Sequence, residues 1–399
     1  MTDPTYKKCI CEYVWIDAFG DMRSKIKVNY AKVENNKPEL LVGEWSFDGS
    51  STGQATGTDS DVILKPVTVF KNPFITFQEF SFLVLCECYN KDRTPHITNT
   101  RSKCIETFTN CKEEEPLFGI EQEYVLFSCG GDMPYRPYRP DKHEPNAPDM
   151  PEPNAHNKHD AHNRPDRLDR PYGWKDTSNP GIGGQGPYYC SVGGDRAFGR
   201  KVSEKHLQLC LEAGIEICGT NAEVAASQWE YQIGPLPPLQ VSDHLWMSRF
   251  ILMRITEEYG CYASFHPKPY KHLGHEGHEG KEGQGGKWNG SGGHTNFSTS
   301  AMRNEGGLEY IIKACERLGE KHDEHMEVYG KYNEERLTGL HETSSIDKCT
   351  WGYSDRGKSI RIPLQVVENK RGYLEDRRPA SNLDPYLVTE KIMHTLLID

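Results

Sequence analysis

The chain has 399 residues, 36% of them hydrophobic, and a formal net charge of −11 at pH 7. This length allows two or three globular domains, and the acidic balance argues against nucleic acid or an anionic membrane surface as a partner. No apolar run approaches the about 20 residues of a membrane-spanning helix, and the N-terminal residues predict no secretory signal. The 13 cysteines follow no disulfide or zinc-ribbon spacing, so we interpret them as reduced thiols of a cytoplasmic protein.

The first part of the chain predicts a small mixed sheet. Residues 9–34 alternate between the two faces of a strand and then turn as a hairpin, and Val62–Phe70 and Phe82–Cys88 predict further strands. Residues 44–61 are rich in Gly, Ser and Thr, which is typical of a tightly turned polar loop.

Thr100–Lys112 predicts the first helix of a second domain, so we place the domains at residues 1–96 and 97–399. Two polar segments interrupt the second domain, at residues 130–171 and 271–287. Their Pro-, Asn-, Gly- and His-rich composition cannot bury enough apolar area to offset chain entropy, so they are predicted to be disordered insertions. Their histidines are interpreted as solvated loop residues rather than as metal ligands.

Elsewhere in the second domain, the hydrophobic periodicity predicts both helices and strands. The predicted helices cover residues 203–213, 244–259 and 308–329, and the predicted strands cover residues 216–219 and 222–234. Short strands and polar loops follow, up to a terminal helix that begins near Pro385.

Phe118–Phe127 predicts a strand with two carboxylates on one face, because Glu121 and Glu123 are two residues apart. Their separation of about 7 Å along a strand suits one oxygen ligand to each of two neighbouring hard cations. A solvent-facing polar edge explains the same spacing, so the spacing alone leaves both interpretations open.

Further polar residues could complete such a site. Gln228–Gly234 predicts a strand with one apolar face and one polar face, and Glu230 lies at the centre of the polar face. Glu223 precedes this strand, and His294 lies in a Gly-rich turn that leads into another. A lone histidine is usually structural, and a polar strand face can also be plain surface.

A series of arginines follows in the last part of the chain, at Arg336, Arg356, Arg361, Arg377 and Arg378. Guanidinium forks match carboxylate and phosphate geometry and stay charged. Together with the glutamates they suggest a site for divalent cations and a nucleotide. The sequence contains neither a Walker loop nor a Rossmann glycine fingerprint, so the nucleotide would be held by another kind of fold.

Ten motifs carry a family resemblance: Tyr13–Asp17, Trp45–Thr52, Phe118–Tyr124, Gln185–Cys190, Asn221–Val224, Gln228–Glu230, His294–Ser298, Arg336–Gly339, His341–Thr343 and Glu375–Pro379. With them, the chain resembles eukaryotic-type glutamine synthetases from about Glu12 to Thr395, apart from the two insertions. It departs from the family pattern at Leu117, Lys287, Gly293 and Leu364, none of which is a candidate metal ligand.

The resemblance implies an α+β fold, with a small N-terminal β-grasp-like domain followed by a larger catalytic α/β domain. It implies ATP-dependent ligation of ammonia to L-glutamate, which gives L-glutamine, ADP and phosphate through a γ-glutamyl phosphate intermediate. The implied cofactors are Mg²⁺ or Mn²⁺, two or more per site. The implied assembly is a homo-oligomer, a decamer of two stacked pentameric rings, with each site between neighbouring subunits.

The resemblance also implies roles for individual residues. One cation would be held by Glu123, Glu223 and Glu230, and the other by Glu121, His294 and Glu375. The nucleotide would contact Glu230, Asn296, Ser298, Arg356, Arg361 and Tyr373. The other substrates would contact Trp288, Arg336, Arg356, Arg377 and Ser51. The catalytic set would be Asp48, Glu342, Arg336 and Arg356. Asp48 would be contributed by the adjacent subunit and bind ammonium, and Glu342 would close over the site.

Two alternatives remain at this stage. A non-catalytic relative would keep the fold for a structural or binding role, and a γ-glutamyl-amine ligase would share the metal chemistry. Asp48 and Glu342 favour ammonia as the substrate, because an ammonium pocket is of no use to a bulky amine.

Overall fold

The computed structural model describes residues 6–34, 37–40, 42–129, 171–173, 187–269 and 289–399. The two predicted insertions, 130–171 and 271–287, lie outside the described residues except for Pro171. None of the described helices combines the length and the apolar character that crossing a bilayer requires.

The N-terminal part forms one six-stranded sheet in the order β3-β2-β1-β6-β5-β4, in which only the β1–β6 pair is parallel. Its strands are β1 (Tyr6–Ile16), β2 (Met22–Glu34), β3 (Lys37–Leu40), β4 (Trp45–Asp48), β5 (Asp61–Lys71) and β6 (Ser81–Tyr89). The prediction of a loop throughout residues 44–61 is wrong for β4. Phe47 is buried with its ring 4.6 Å from that of Trp15, so packing makes these residues an edge strand.

The second part of the chain contains eight further strands and eight α-helices among the described residues. Its strands are β7 (Leu117–Ser128), β8 (Ile217–Ala222), β9 (Gln228–Leu236), β10 (Cys261–Ser264), β11 (Gly293–Ser298), β12 (Trp351–Tyr353), β13 (Ile360–Ile362) and β14 (Leu374–Asp376). Its helices are α1 (Thr100–Cys111), α2 (Arg200–Ala213), α3 (Pro238–Tyr259), α4 (Ser300–Arg303), α5 (Gly307–Glu320), α6 (His322–Met326), α7 (Leu364–Asn369) and α8 (Pro385–Met393). The sheet order is β12-β13-β14-β11-β7-β9-β8, and β10 also pairs with β7.

Strand β7 lies at the centre of this sheet, and its two faces differ as the sequence predicts. Ile120, Tyr124 and Leu126 are fully buried in the main core, which includes much of α3. Ile120 and Leu126 each contribute about 1.5–3 kcal/mol through burial of apolar surface. The opposite face carries Glu121 and Glu123, which point away from that core into a polar cleft.

One helix prediction is wrong, because residues 308–329 form two helices rather than one. Helix α5 ends at Glu320 and α6 begins at His322. The Arg378 guanidinium donates to the Leu318 carbonyl at 3.3 Å, an acceptor that a continuous helix would offer to the N–H four residues later. This tertiary hydrogen bond from Arg378 therefore competes for the Leu318 carbonyl close to the point where α5 ends.

The prediction of one strand over residues 222–234 is also wrong at its start. Strand β8 ends at Ala222 and β9 begins at Gln228, and the antiparallel pairing of the two requires a turn between them. Glu223 therefore lies in this turn rather than on a strand.

Candidate active site

Strands β7, β9, β11 and β14 line a cleft of about 340 Å³ at one face of the central sheet. All six candidate metal ligands line it, together with four of the predicted arginines and Glu342. The lining residues singled out in the sequence are Glu121, Glu123, Glu223, Glu230, His294, Glu375, Arg336, Arg356, Arg361, Arg377 and Glu342. Residues far apart in the sequence thus converge on one cleft.

Glu121, His294 and Glu375 form the tightest group of ligand atoms in this cleft. Antiparallel pairing of β7 with β11 sets His294 directly opposite Glu121. His294 Nδ1 lies 3.6 Å from Glu121 Oε2 and 3.7 Å from Glu375 Oε1. Among the described residues, this is the one group of three such side chains whose ligand atoms all lie within 4.8 Å of one another.

The protonation of His294 follows from its neighbours. Arg336 Nη2 lies 3.1 Å from His294 Nε2, and because a guanidinium only donates, Nε2 must accept. Burial, followed by the charges of Arg377 and Arg336, lowers the pKa of His294 well below its usual value. The neutral ring therefore carries its proton on Nδ1, beside two carboxylates, where a divalent cation would replace it. This donor set of two carboxylates and one imidazole fits a metal ion.

Glu123, Glu223 and Glu230 form a second acidic group. Glu123 faces Glu230 across the β7–β9 pair, and all three side chains are buried. Burial raises the pKa of Glu123 to about 7, and burial together with the charge of Glu123 raises that of Glu223 to about 8. Burial and the charges of Glu121 and Glu123 raise the pKa of Glu230 well above its usual value. Such mutual repulsion is what a bound divalent cation would relieve.

Glu123 is held in place by two donors. Gln228 Nε2 and the Gly292 backbone N–H donate to Glu123 Oε2 at 2.9 and 3.0 Å. A side chain at Gly292 would place its Cβ 2.6 Å from Arg336 Nη2 and 2.7 Å from His294 Nε2. The absence of a side chain at residue 292 therefore lets the backbone approach the carboxylate.

Two of the arginines bind Glu375 and leave one donor each without a partner among the described residues. Glu375 accepts from Arg361 Nη1 at 2.6 Å and from Arg377 Nη1 at 2.7 Å. The Nε groups of both arginines are buried without a hydrogen-bond partner among the described residues. Arg336, in contrast, donates from Nη2 to His294 Nε2 and to the Arg377 carbonyl. Its guanidinium therefore orients other residues of the site.

Several residues that the sequence assigns to the site are not among those that line the cleft. Asn296 Nδ2 donates to Glu121 Oε1 at 2.9 Å, and Ser298 Oγ accepts from Arg303 at 3.0 Å. Burial and the charges of Glu121 and Glu375 raise the pKa of Tyr373, which stands near both carboxylates. Trp288 lies outside the described residues.

Asp48 and Ser51 belong to the N-terminal sheet domain and do not line the cleft of their own chain. Asp48 is exposed, and its carboxylate accepts from Ser50 Oγ at 2.6 Å and from Ser51 Oγ at 2.8 Å. These hydrogen bonds lower the pKa of Asp48. Its side chain is therefore a preorganised anion on the surface.

Residues that the sequence did not assign to the site also line the cleft. They are Tyr189, Asn221, Gln232, Asn289, Gly290, His341 and Thr343. Gln232 donates to Glu230 and, at 3.1 Å, to Asn221. The polar face of β9 was the signal that could have identified Gln232, because it shares that face with Glu230.

The segment at His341 and Glu342 carries backbone strain. Both residues adopt left-handed conformations, with φ of 55° and 60°. Consecutive non-glycine residues in this region are uncommon and cost free energy unless contacts compensate. One such contact is the Glu342 carbonyl, which accepts from Arg377 Nη2 at 3.4 Å.

Comparison with known proteins agrees with this arrangement. The model of the glutamine synthetase beta-Grasp domain matches residues 7–91, and that of the glutamine synthetase catalytic domain matches residues 101–306. The chain belongs to the glutamine synthetase family. The predicted family and the predicted α+β fold, with a β-grasp domain before a catalytic domain, are thereby confirmed.

Similarity to curated glutamine synthetases extends over nearly the whole chain. The chain is 45% identical to a glutamine synthetase of Agaricus bisporus over 392 residues, which is 98% of this chain and 94% of the relative. It is 44% identical to a glutamine synthetase of Schizosaccharomyces pombe over 393 residues, which is 98% of this chain and 93% of the relative.

The acidic cleft of this glutamine synthetase family member predicts a pH-dependent stability. Glu123 and Glu223 have raised pKa values of about 7 and about 8, so the folded metal-free protein holds protons that the unfolded chain releases above about pH 4.5. Stability therefore falls as pH rises through these values. We expect the melting temperature of the metal-free protein to fall between about pH 4.5 and about pH 8 and to level off above that range.

Saturating Mn²⁺ provides the control, because carboxylates that hold a cation would stay ionised at every pH in this range. Differential scanning fluorimetry should show a flatter pH profile with Mn²⁺ than without it. Parallel profiles would contradict the raised pKa values.

Proposed function

We propose that the chain is a glutamate–ammonia ligase, which uses ATP to convert L-glutamate and ammonia into L-glutamine, ADP and phosphate. One observation carries this proposal: two groups of carboxylates and a cluster of arginines share one cleft in a chain of the glutamine synthetase family. The γ-carboxylate of glutamate is a poor electrophile, so its phosphorylation to γ-glutamyl phosphate precedes attack by ammonia.

Two groups of residues would hold the divalent cations, Mg²⁺ or Mn²⁺. Glu121, His294 and Glu375 would hold one cation, and Glu123, Glu223 and Glu230 would hold the other. When bound, the cations neutralise charge on the transferring phosphoryl group. The proximity of the first group and the mutual repulsion within the second support this assignment.

The arginines would bind the anionic parts of the substrates. Arg361 and Arg377 have unpartnered buried Nε donors among the described residues, which suit phosphoryl and carboxylate oxygens. Arg336 and Arg356 would stabilise charge that develops at the glutamate carboxylate and the phosphoryl group. The nucleotide would extend towards Asn296, Ser298 and Tyr373, beyond the Glu121 side of the cleft.

Ammonium would be bound by Asp48 of a neighbouring subunit, with Ser51 holding its carboxylate. Neither residue lines the cleft of its own chain, which supports a site completed by a second copy. We therefore propose a homo-oligomer, as a decamer of two stacked pentameric rings, with domains at residues 1–96 and 97–399. We propose a cytoplasmic location, in which the cysteines stay reduced.

Attack requires ammonia rather than ammonium, so a base must take a proton from the bound cation. Glu342 would approach as its segment closes, and closure would exclude the water that hydrolyses an acyl phosphate. The strained backbone at His341 and Glu342 supports a segment that has a second conformation.

The deciding experiment measures ADP release with L-glutamate, ATP and either ammonium or a series of alkylamines, at varied Mg²⁺ and Mn²⁺. We expect turnover that requires ammonium and a divalent cation. Turnover with alkylamines instead would indicate a γ-glutamyl-amine ligase, and absence of turnover would indicate a non-catalytic relative.

Replacement of Asp48 by Ala tests the ammonium pocket. We expect the KM for ammonium to rise by about tenfold or more, because a hydrogen-bonded anionic partner is lost, while the KM for ATP changes little. Asp92→Ala is the matched control, since Asp92 is also exposed and accepts from Thr94 in the same domain. An equal rise in both variants would contradict the role of Asp48.

A further inference from the structure

Gln122 lies between the two glutamates of β7, but its side chain points to the opposite, buried face. It is fully buried, and its amide is completely engaged. Gln122 Nε2 donates to the Glu123 carbonyl at 2.7 Å and to the Ser381 carbonyl at 2.9 Å. Its Oε1 accepts from Arg249 Nε at 2.9 Å and from Nη2 at 2.5 Å. The amide thus joins the backbone of the glutamate strand to a segment that follows β14.

Arg249 of α3 supplies the fork that holds this amide. The residue is 3% exposed and forms no ion pair with a described carboxylate, although the charge of Asp384 acts on it from a longer distance. The guanidinium carbon lies 4.9 Å from the Trp246 ring centroid and 5.2 Å from that of Phe265. Such contacts stabilise a buried cation only in part, and its desolvation costs several kcal/mol.

The remaining donors of Arg249 reach the segment after β14. Nη1 donates to the Leu383 carbonyl at 2.9 Å, and Nη2 donates to the Ser381 carbonyl at 3.0 Å. That segment is also tied to the start of β11, because the Ser381 N–H donates to the Ser291 carbonyl at 3.1 Å. Arg249 therefore connects β7, which carries Glu121 and Glu123, with the segment after β14, the strand that carries Glu375.

An apolar side chain in place of Arg249 would fill the space beside the two aromatic rings without a desolvation cost. It would also leave Gln122 Oε1 and the Leu383 carbonyl without these donors. The strand that bears Glu121 and Glu123 would then keep only the direct hydrogen bond from Gln122 to Ser381 as its side-chain link to the segment after β14. Buried polar groups that lose their partners drive local rearrangement, because each costs about 1–3 kcal/mol.

We propose that Arg249, acting through Gln122, is a positioning residue for the metal ligands on β7. It holds Glu121 and Glu123 in register with His294 and Glu375 from behind the sheet, without touching the cleft. This inference rests on the proposed metal-dependent function.

The test is calorimetric titration of metal-free protein with Mn²⁺, a readout that does not depend on turnover. We expect Arg249→Met and Gln122→Met each to raise the Kd for Mn²⁺ by about 10- to 100-fold, as for other residues that orient metal ligands. The double variant should show no greater loss than either single variant, because the two residues act as one unit. Arg249→Lys, which keeps the charge but not the fork, should also weaken binding.

Arg254→Met is the matched control. Arg254 lies on the same helix, its guanidinium is 4.9 Å from the Phe74 ring, and it pairs with Glu12 at 2.9 Å. Its loss should lower the melting temperature and leave the Kd for Mn²⁺ unchanged. If the wild type binds no Mn²⁺, the proposed metal site itself is wrong.

If the wild type binds Mn²⁺ and folded Arg249→Met binds it within about twofold of the wild type, the positioning role is overturned. Should Arg249→Met fail to fold, Gln122→Met and Arg249→Lys carry the same comparison. Unchanged affinity in both of them would overturn the role equally.

Discussion

The Glu230→Gln variant is expected to lose at least about 1,000-fold in kcat/KM for glutamine formation, while its metal-free form becomes more heat-stable than the wild type. Glu230 is buried opposite Glu123, and burial and neighbouring carboxylates hold its pKa well above the usual value. At neutral pH Glu230 must take up a proton when the metal-free chain folds, whereas Gln is neutral in both states, so Gln stabilises the metal-free fold. It also removes a charged oxygen from the proposed ligand set, which weakens metal binding.

Two measurements separate these effects. Thermal melting without metal should give a higher midpoint for Glu230→Gln, and the increase in midpoint on adding Mn²⁺ should be smaller than in the wild type. Glu258→Gln is the control, because Glu258 is exposed near the end of α3. Wild-type activity in Glu230→Gln would contradict the metal assignment, and a lowered metal-free midpoint would contradict the electrostatic argument.

The second large effect is expected for Asp376→Asn, which should lower the free energy of unfolding by about 3–5 kcal/mol. Asp376 is fully buried behind the cleft and binds the Arg378 guanidinium through two bonds, at 2.9 and 2.7 Å. It also accepts from Tyr329 Oη at 2.8 Å. Asn cannot satisfy both guanidinium donors as an anion does, so the buried charge of Arg378 would be left uncompensated.

The pH dependence of this ion pair has a definite sign. Burial alone would raise the pKa of Asp376, but the charge and hydrogen bonds of Arg378 lower it further than burial raises it. The stabilisation is therefore present above about pH 4 and is lost as pH falls through the lower folded-state value. Asp376→Asn should accordingly reduce the acid sensitivity of the folded state.

Urea unfolding at a fixed protein concentration measures this loss, since the association that we propose between copies of the chain would make the apparent stability depend on concentration. Asp355→Asn is the control, because Asp355 is exposed and its ion pair with Lys358 spans 3.9 Å. A change of less than about 1 kcal/mol for Asp376→Asn would show that the pair contributes no more than a surface ion pair.

Much of the site could be predicted because its residues lie on short, regular strands. The alternation along β7 placed Glu121 and Glu123 on one face, and the structure has them there. The polar face of β9 marked Glu230 in the same way, and Gln232, which shares that face, also lines the cleft. The assignment of each glutamate to a particular cation came from the family resemblance, and it stays a prediction.

The amino-acid sequence by itself determined the family, the order of the two domains and the two faces of the central strand, because motif identity and side-chain periodicity are local properties. Only the tertiary structure decided which residues meet. His294 lies opposite Glu121 through strand pairing, and Arg378 reaches Leu318 where the predicted long helix breaks. The link from Arg249 to Gln122 is of the same kind. Such contacts join residues that are distant in the chain, and their energies depend on burial and geometry that no local pattern contains.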